Sequence, residues 1–175
     1  MASTPDGLDL LVLLLDAPGP HRRPNEPIHG ITRLQKLLYL LEREEDLGSI
    51  HSFTFEPYRF GPFAQELYDA LEFLESNGFL EIDEGARVDH FATMESQAID
   101  PAEEVLAVPE RVYMLSERGL RLATALRART DARVMAALER LKSKYGGLSL
   151  TQLIRYVYSK YPESAVNSEL THLKS

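Results

Sequence analysis

The sequence predicts a mainly α-helical fold with a small β-ribbon, class α+β. Three observations lead there. Apolar residues recur at helical spacing from Ile31 to about Asp46, from Phe63 to Leu74, and in three further segments after Ser116. Two short runs, Phe79–Ile82 and Arg111–Leu115, read as paired strands. Breakers separate these segments: Pro18-Gly19-Pro20, Gly61-Pro62, Asn77-Gly78 and Gly146-Gly147.

In chain order, Asp6–Asp16 reads as a short, deeply buried helix stopped by Pro18. His21–His29 is a loop containing Arg22 and Arg23. Thr32 and Gln35 form a capping-box candidate for the helix from Ile31. Ile31, Leu34, Leu38 and Leu41 are its seam, and Arg33, Lys36 and Arg43 lie opposite with Leu40. Phe53, Phe55 and Tyr58 suggest a short strand, which Pro57 restricts to an edge. Tyr58-Arg59-Phe60-Gly61-Pro62-Phe63 is an aromatic corner whose Gly-Pro turn opens the next helix, ending at Asn77-Gly78. Between the ribbon strands, residues 83–110 are expected to form a long acidic loop, with a short helix near Pro101–Leu106. Ser116 caps a helix from Glu117 to about Arg129, in which Gly119 marks close packing. A helix from about Asp131 to Tyr145 follows. Ser149 and Gln152 then form a second capping box for a helix that Pro162 ends, and Glu163–Ser175 is a polar tail expected to fray.

Composition removes several function classes. A chain of 175 residues can bury roughly 70% of its unfolded surface, so it holds a real core. The absence of cysteine excludes disulfides, thiolate metal sites and a cysteine nucleophile, and fits a cytoplasmic location. The apolar run Leu8–Leu15 is too short to span a bilayer and lacks a basic flank, so neither a membrane span nor a signal peptide is expected.

Charge is strongly segregated. Residues 62–110 carry 13 acids and 1 base, whereas residues 111–144 carry 3 acids and 9 bases. On the helix after Gly61, Phe63, Leu67, Ala70, Leu71 and Leu74 share one side, and Glu66, Asp69, Glu72 and Glu75 cover the other. In a helix-turn-helix protein this element would enter the major groove. A carboxylate about 4 Å from a phosphate costs on the order of 1 kcal/mol even in water, so this face does not suit a DNA backbone. A solvated acidic face, intramolecular or dimer pairing with the basic helices, or a basic partner accounts for the acids.

Taken together, Leu34-Gln35-Lys36-Leu37-Leu38-Tyr39, the spaced Phe55, Tyr58, Phe60-Gly61-Pro62-Phe63, and Leu67-Tyr68 resemble two related prokaryotic groups. These are the YwgA-like proteins and the Panacea-domain (SocA-like), phage-associated antitoxins. Tyr113, Leu115-Ser116 and Gly119, and Leu153-Ile154 through Tyr161-Pro162-Glu163, resemble later parts of the same proteins. The similarity covers most of residues 30–163 except the acidic insert. It implies a winged-helix-like core and roles in toxin neutralisation, proteolytic adaptation or phage defence, mostly through protein contacts.

No chemical motif competes with that reading. The five histidines are scattered without metal-ligand spacing, the glycines form no phosphate loop, and no serine sits in a nucleophile elbow. Carboxylates on an outer helix face keep ordinary proton affinities, so catalysis is not expected, nor is a cofactor or metal. The expectation is therefore a winged-helix-like domain over residues 1–130 with an acidic insert at 83–110, a helical extension over 131–163, and the polar tail. It acts as a non-enzymatic, regulatory protein-binding module. Glu66, Asp69, Glu72 and the 83–110 insert form the contact face, supported by Tyr58, Arg59 and Phe63. The alternative is a DNA-binding regulator using the basic helices 116–144, with Arg22, Arg23, Arg33, Lys36, Arg118, Arg121, Arg129 and Arg133 as phosphate contacts. A homodimer is compatible with either.

Overall fold

The computed structural model describes residues 3–45, 47, 50, 53–91, 93 and 107–174. Among them are helices α1 (Gly7–Asp16), α2 (Ile31–Glu44), α3 (Gln65–Ser76), α4 (Glu117–Arg129), α5 (Ala132–Gly146) and α6 (Leu150–Lys160). The strands are β1 (Ile28–His29), β2 (Glu56–Tyr58), β3 (Gly61–Phe63), β4 (Leu80–Val88) and β5 (Pro109–Leu115). The fold is thus α+β, with helices dominant and strands in small antiparallel sheets.

Helix α2 is the centre of the molecule. Leu34, Leu37, Leu38, Leu40 and Leu41 are all fully buried, because α5 and α6 pack around the helix that a one-sided seam would leave half exposed. Its enclosure overturns two expectations. Thr32 and Gln35 are buried and form no capping box; Gly30, at φ +88°, is the N-cap, with no side-chain cap bond. Gln35 instead bonds across to the start of α3: its Nε2 donates to the Ala64 carbonyl (3.2 Å) and its Oε1 accepts from the Ala64 N–H (3.0 Å). Lys36 is buried rather than on a solvent face, and its Nζ donates to the Pro62 carbonyl at 3.1 Å.

Helix α1 follows the expectation. Asp6 caps it through the Asp9 N–H, and Leu10–Leu15 are all buried. The segment after it departs from a simple loop. Its end forms β1, which pairs with β5, so the sheet has three antiparallel strands in the order β1-β5-β4. Two residues are too few to register as a strand in sequence. The ribbon is also longer than expected. β4 continues through residues 83–88 and β5 begins at Pro109, so part of the predicted acidic loop is strand. Asp83 and Glu84 are exposed on the ribbon, which hides the strand pattern. The proposed helix near Pro101–Leu106 lies outside the described residues.

The aromatic corner is a hairpin, not a Gly-Pro turn. β2 and β3 pair around Arg59 and Phe60, with Pro57 opposite Pro62. Gly61 sits at φ +95°, and a Cβ there would lie 2.7 Å from the Tyr158 ring, so glycine is required on both counts. Helix α3 begins afterwards at Gln65 and buries Leu67, Leu71 and Leu74.

Helices α4, α5 and α6 match their expected positions, with caps at Ser116, Asp131 and the Ser149–Gln152 capping box. The segment after Pro162 does not fray. It makes two 3₁₀ turns, and Ala165, Leu170 and Leu173 join the hydrophobic core shared by all the helices. One core therefore runs across the turn at residue 130. Among the described residues, no helix is long and apolar enough to cross a membrane.

Candidate functional site

Where α3, the β2–β3 hairpin and the β4–β5 ribbon meet, they enclose a groove of about 880 Å³. Helix α3 commits Leu67, Leu71 and Leu74 to the core, which leaves Tyr68, Glu72 and Glu75 to line the groove from successive turns. In the hairpin, Glu56 pairs with Phe63 and Tyr58 with Gly61. Opposed residues, and residues two apart on one strand, share a face. Glu56, Tyr58 and Phe63 therefore line the same wall. The ribbon supplies Ile82 and its cross-strand partner Tyr113 as part of the floor.

Three rings form a continuous row. The Tyr58 and Phe63 centroids are 4.9 Å apart, and those of Phe63 and Tyr68 are 5.6 Å apart. Tyr58 is 42% exposed, so the row reaches solvent. Carboxylates outnumber cations around it. Among the described residues, Glu56, Glu72, Glu75 and Asp89 line the groove with Arg59 and Arg111 as counter-charges. Arg59 is already committed to Glu169 through two bonds of 2.6 and 2.9 Å, a bidentate pair. The Tyr113 phenol is pushed up to about 12, by burial first; Asp89 and Glu75 add to the rise and Arg111 opposes it.

Of the residues expected at a contact face, Tyr58, Arg59, Phe63 and Glu72 come together here. Glu66 and Asp69 are on α3 but not in the groove lining. The Glu66 carboxylate accepts the Thr54 N–H at 3.2 Å, and Asp69 is exposed. Sequence reasoning misses Glu56 and Tyr113 as groove residues. The hairpin register places Glu56 beside Phe63, and that register depends on the turn at Arg59–Phe60, which the Gly-Pro pair disguises.

The basic residues have a different fate. Lys36 is buried and cannot reach a phosphate, and Arg33 is half-buried with its Nη1 donating to the Leu148 carbonyl at 2.6 Å. Both corrections follow from the enclosure of α2. On α4, Arg121 pairs with Glu117 (3.4 Å), Arg127 with Asp16 (3.0 Å) and Arg129 with Asp9 (3.6 Å). Arg118 stacks on the Phe79 ring, 4.6 Å from its centroid. On α5, Arg140 pairs with Glu45 at 2.8 Å, and Lys142 is buried with its Nζ donating to the Leu15 and Ala17 carbonyls. Arg22, Arg23 and Arg133 remain exposed. Self-pairing therefore accounts for much of the basic cluster. It does not account for the acidic face: among the described residues, Glu56, Asp69, Glu72 and Glu75 make no ion pair.

A second polar cluster has a structural role. Glu44, at the end of α2, accepts hydrogen bonds from the hydroxyls of Tyr145 and Tyr156 and pairs with Lys160 at 3.0 Å. Burial alone raises the Glu44 pKa, but these donors outweigh it and hold the carboxyl below the ordinary value. The cluster ties α2 to α5 and α6. Among the described residues, no group of three or more histidines and carboxylates is arranged to hold a metal ion. No family model matches the chain, and no curated protein matches it.

Proposed function

We propose that the chain is a non-enzymatic regulatory module that holds a protein partner in the groove between α3 and the ribbon. One observation carries this reading. Among the described residues, Glu56, Glu72 and Glu75 of the groove make no ion pair, in a molecule that pairs most bases of α4 and α5 internally. Unpaired charge beside an aromatic row stabilises nothing within the chain, but it complements a partner. Apart from the β2–β3 hairpin inserted between α2 and α3, the element order is helix, strand, helix, helix, strand, strand, and this order, with β1 against β5, supports a winged-helix-like core. In such a core α3 would be the recognition helix, and its acids favour protein over DNA. The resemblance to Panacea-domain and YwgA-like proteins supports reading the module as an antitoxin-like or phage-defence regulator of the prokaryotic cytoplasm, and no cofactor is invoked.

Affinity capture from cells, comparing the wild type with a Phe63→Ala, Glu72→Lys double variant, tests the reading. A protein retained by the wild type and lost from a folded variant is the expected result. Capture of the same proteins by both would overturn it. Titration of random duplex DNA decides the alternative regulator. Tight binding that falls steeply with salt would establish several phosphate contacts through Arg22, Arg23, Arg118, Arg121 and Arg133. Absence of binding at low salt is expected.

A further inference from the structure

We infer that the groove takes a basic segment of the partner anchored by an arginine, whose guanidinium lies on the Phe63–Tyr68 rings between Glu56 and Glu72. This rests on the docking reading above and names its occupant. The hairpin register sets Glu56 directly across from Phe63, on the same face. Glu72 is one helical turn beyond Tyr68, so the two side chains are neighbours on α3. Two neighbouring rings are thus flanked by a carboxylate on each side, one from the hairpin and one from the helix. All four residues line one groove, and neither carboxylate has an ion-pair partner among the described residues.

Ring faces attract cations, and a carboxylate attracts a guanidinium through two parallel hydrogen bonds. Arginine meets both demands at once, because its planar group stacks and forks, whereas a lysine ammonium is a compact, strongly hydrated point charge. The chain's own arginines do not fill the place: Arg59 is held by Glu169, and Arg111 stands on β5 across the groove. A volume of about 880 Å³ exceeds one side chain and accommodates the apolar residues beside the anchor, which would cover Tyr58 and Ile82.

The test uses the full chain and three fluorescein-labelled, leucine-rich peptides that differ only at one central position: arginine, lysine or citrulline, the uncharged isostere of arginine. Anisotropy is expected to show the arginine peptide binding about tenfold more tightly than the citrulline peptide, a difference equal to 1.4 kcal/mol. The preference should fall with added salt and disappear in the Glu56→Gln, Glu72→Gln variant. Both substitutions lie on the surface, and circular dichroism checks that the fold is kept. Equal binding of the citrulline or lysine peptide, or an arginine preference that survives in the variant, overturns the inference. If no peptide binds while groove-dependent capture of a partner persists, the anchor is wrong and the docking reading stands. If capture is also insensitive to the groove, both fall.

Discussion

Replacing Gly119 by alanine should destabilise the fold, although local propensity favours the opposite. Gly119 is in the first turn of α4, where alanine is better than glycine by about 1 kcal/mol. Its φ is ordinary, so the backbone itself does not require glycine. The obstacle is tertiary. An added methyl would meet the Phe79 carbonyl oxygen well inside the 3.0 Å that real Cβ atoms respect, and would touch the Leu115 Cβ at 3.0 Å. The Phe79 oxygen cannot simply yield, because it accepts the Ser116 N–H at 3.0 Å. Moving it strains the bond from the Ser116 hydroxyl to the Gly78 carbonyl, 2.6 Å, which joins the helix cap to the end of α3. Overpacking costs about 1–3 kcal/mol, and one weakened hydrogen bond adds about 1 kcal/mol. Against a propensity gain of about 1 kcal/mol, the net loss is about 1–3 kcal/mol. Urea unfolding followed by circular dichroism measures it through a lower midpoint at unchanged slope. A variant as stable as the wild type, or more stable, would refute the close contact between α4 and the start of β4.

Three other variants probe the polar groups that packing has enclosed. Gln35→Leu leaves the Ala64 N–H without its buried acceptor and the Ala64 carbonyl with the Leu67 N–H alone, so it should cost about 1–3 kcal/mol in urea unfolding and loosen the start of α3. Glu44→Gln should cost about 1–3 kcal/mol at pH 7. Because the folded-state pKa of Glu44 is depressed, its contribution is complete above the unfolded value of about 4.3 and is lost as pH falls through the lower folded value. The difference between wild type and variant should therefore shrink near pH 3, and a constant difference would contradict the cluster. Lys142 is buried, and burial lowers its pKa to about 8, opposed by Glu26 and Asp16. The unfolded chain then holds this proton to higher pH, so stability should rise between pH 8 and 10 by no more than about 3 kcal/mol. Lys142→Met should remove that rise; an unchanged pH slope would show that Lys142 is not its source.

The sequence alone was enough for the class and for most helix limits, because these depend on neighbours along the chain. The repeat of leucines predicts α2, and Ser116 and the Ser149–Gln152 box predict the starts of α4 and α6 through bonds reaching only three residues. Close packing at Gly119 was legible for the same reason: a glycine in a first helical turn is costly unless something is near. Four of the six residues expected at a contact face do share the groove, since the aromatic corner and the α3 acids are close in sequence. What lay beyond reach depends on contacts between distant segments. The sequence marks Lys36 as a surface base, and only the enclosure of α2 by α5 and α6 makes it a buried donor to Pro62. Likewise, the opposite charges of the middle and the following helices are visible in composition, but not which of them meet. Burial and salt pairing are properties of three-dimensional neighbours. In this fold they satisfy much of the basic face and leave Glu56, Glu72 and Glu75 facing an aromatic groove.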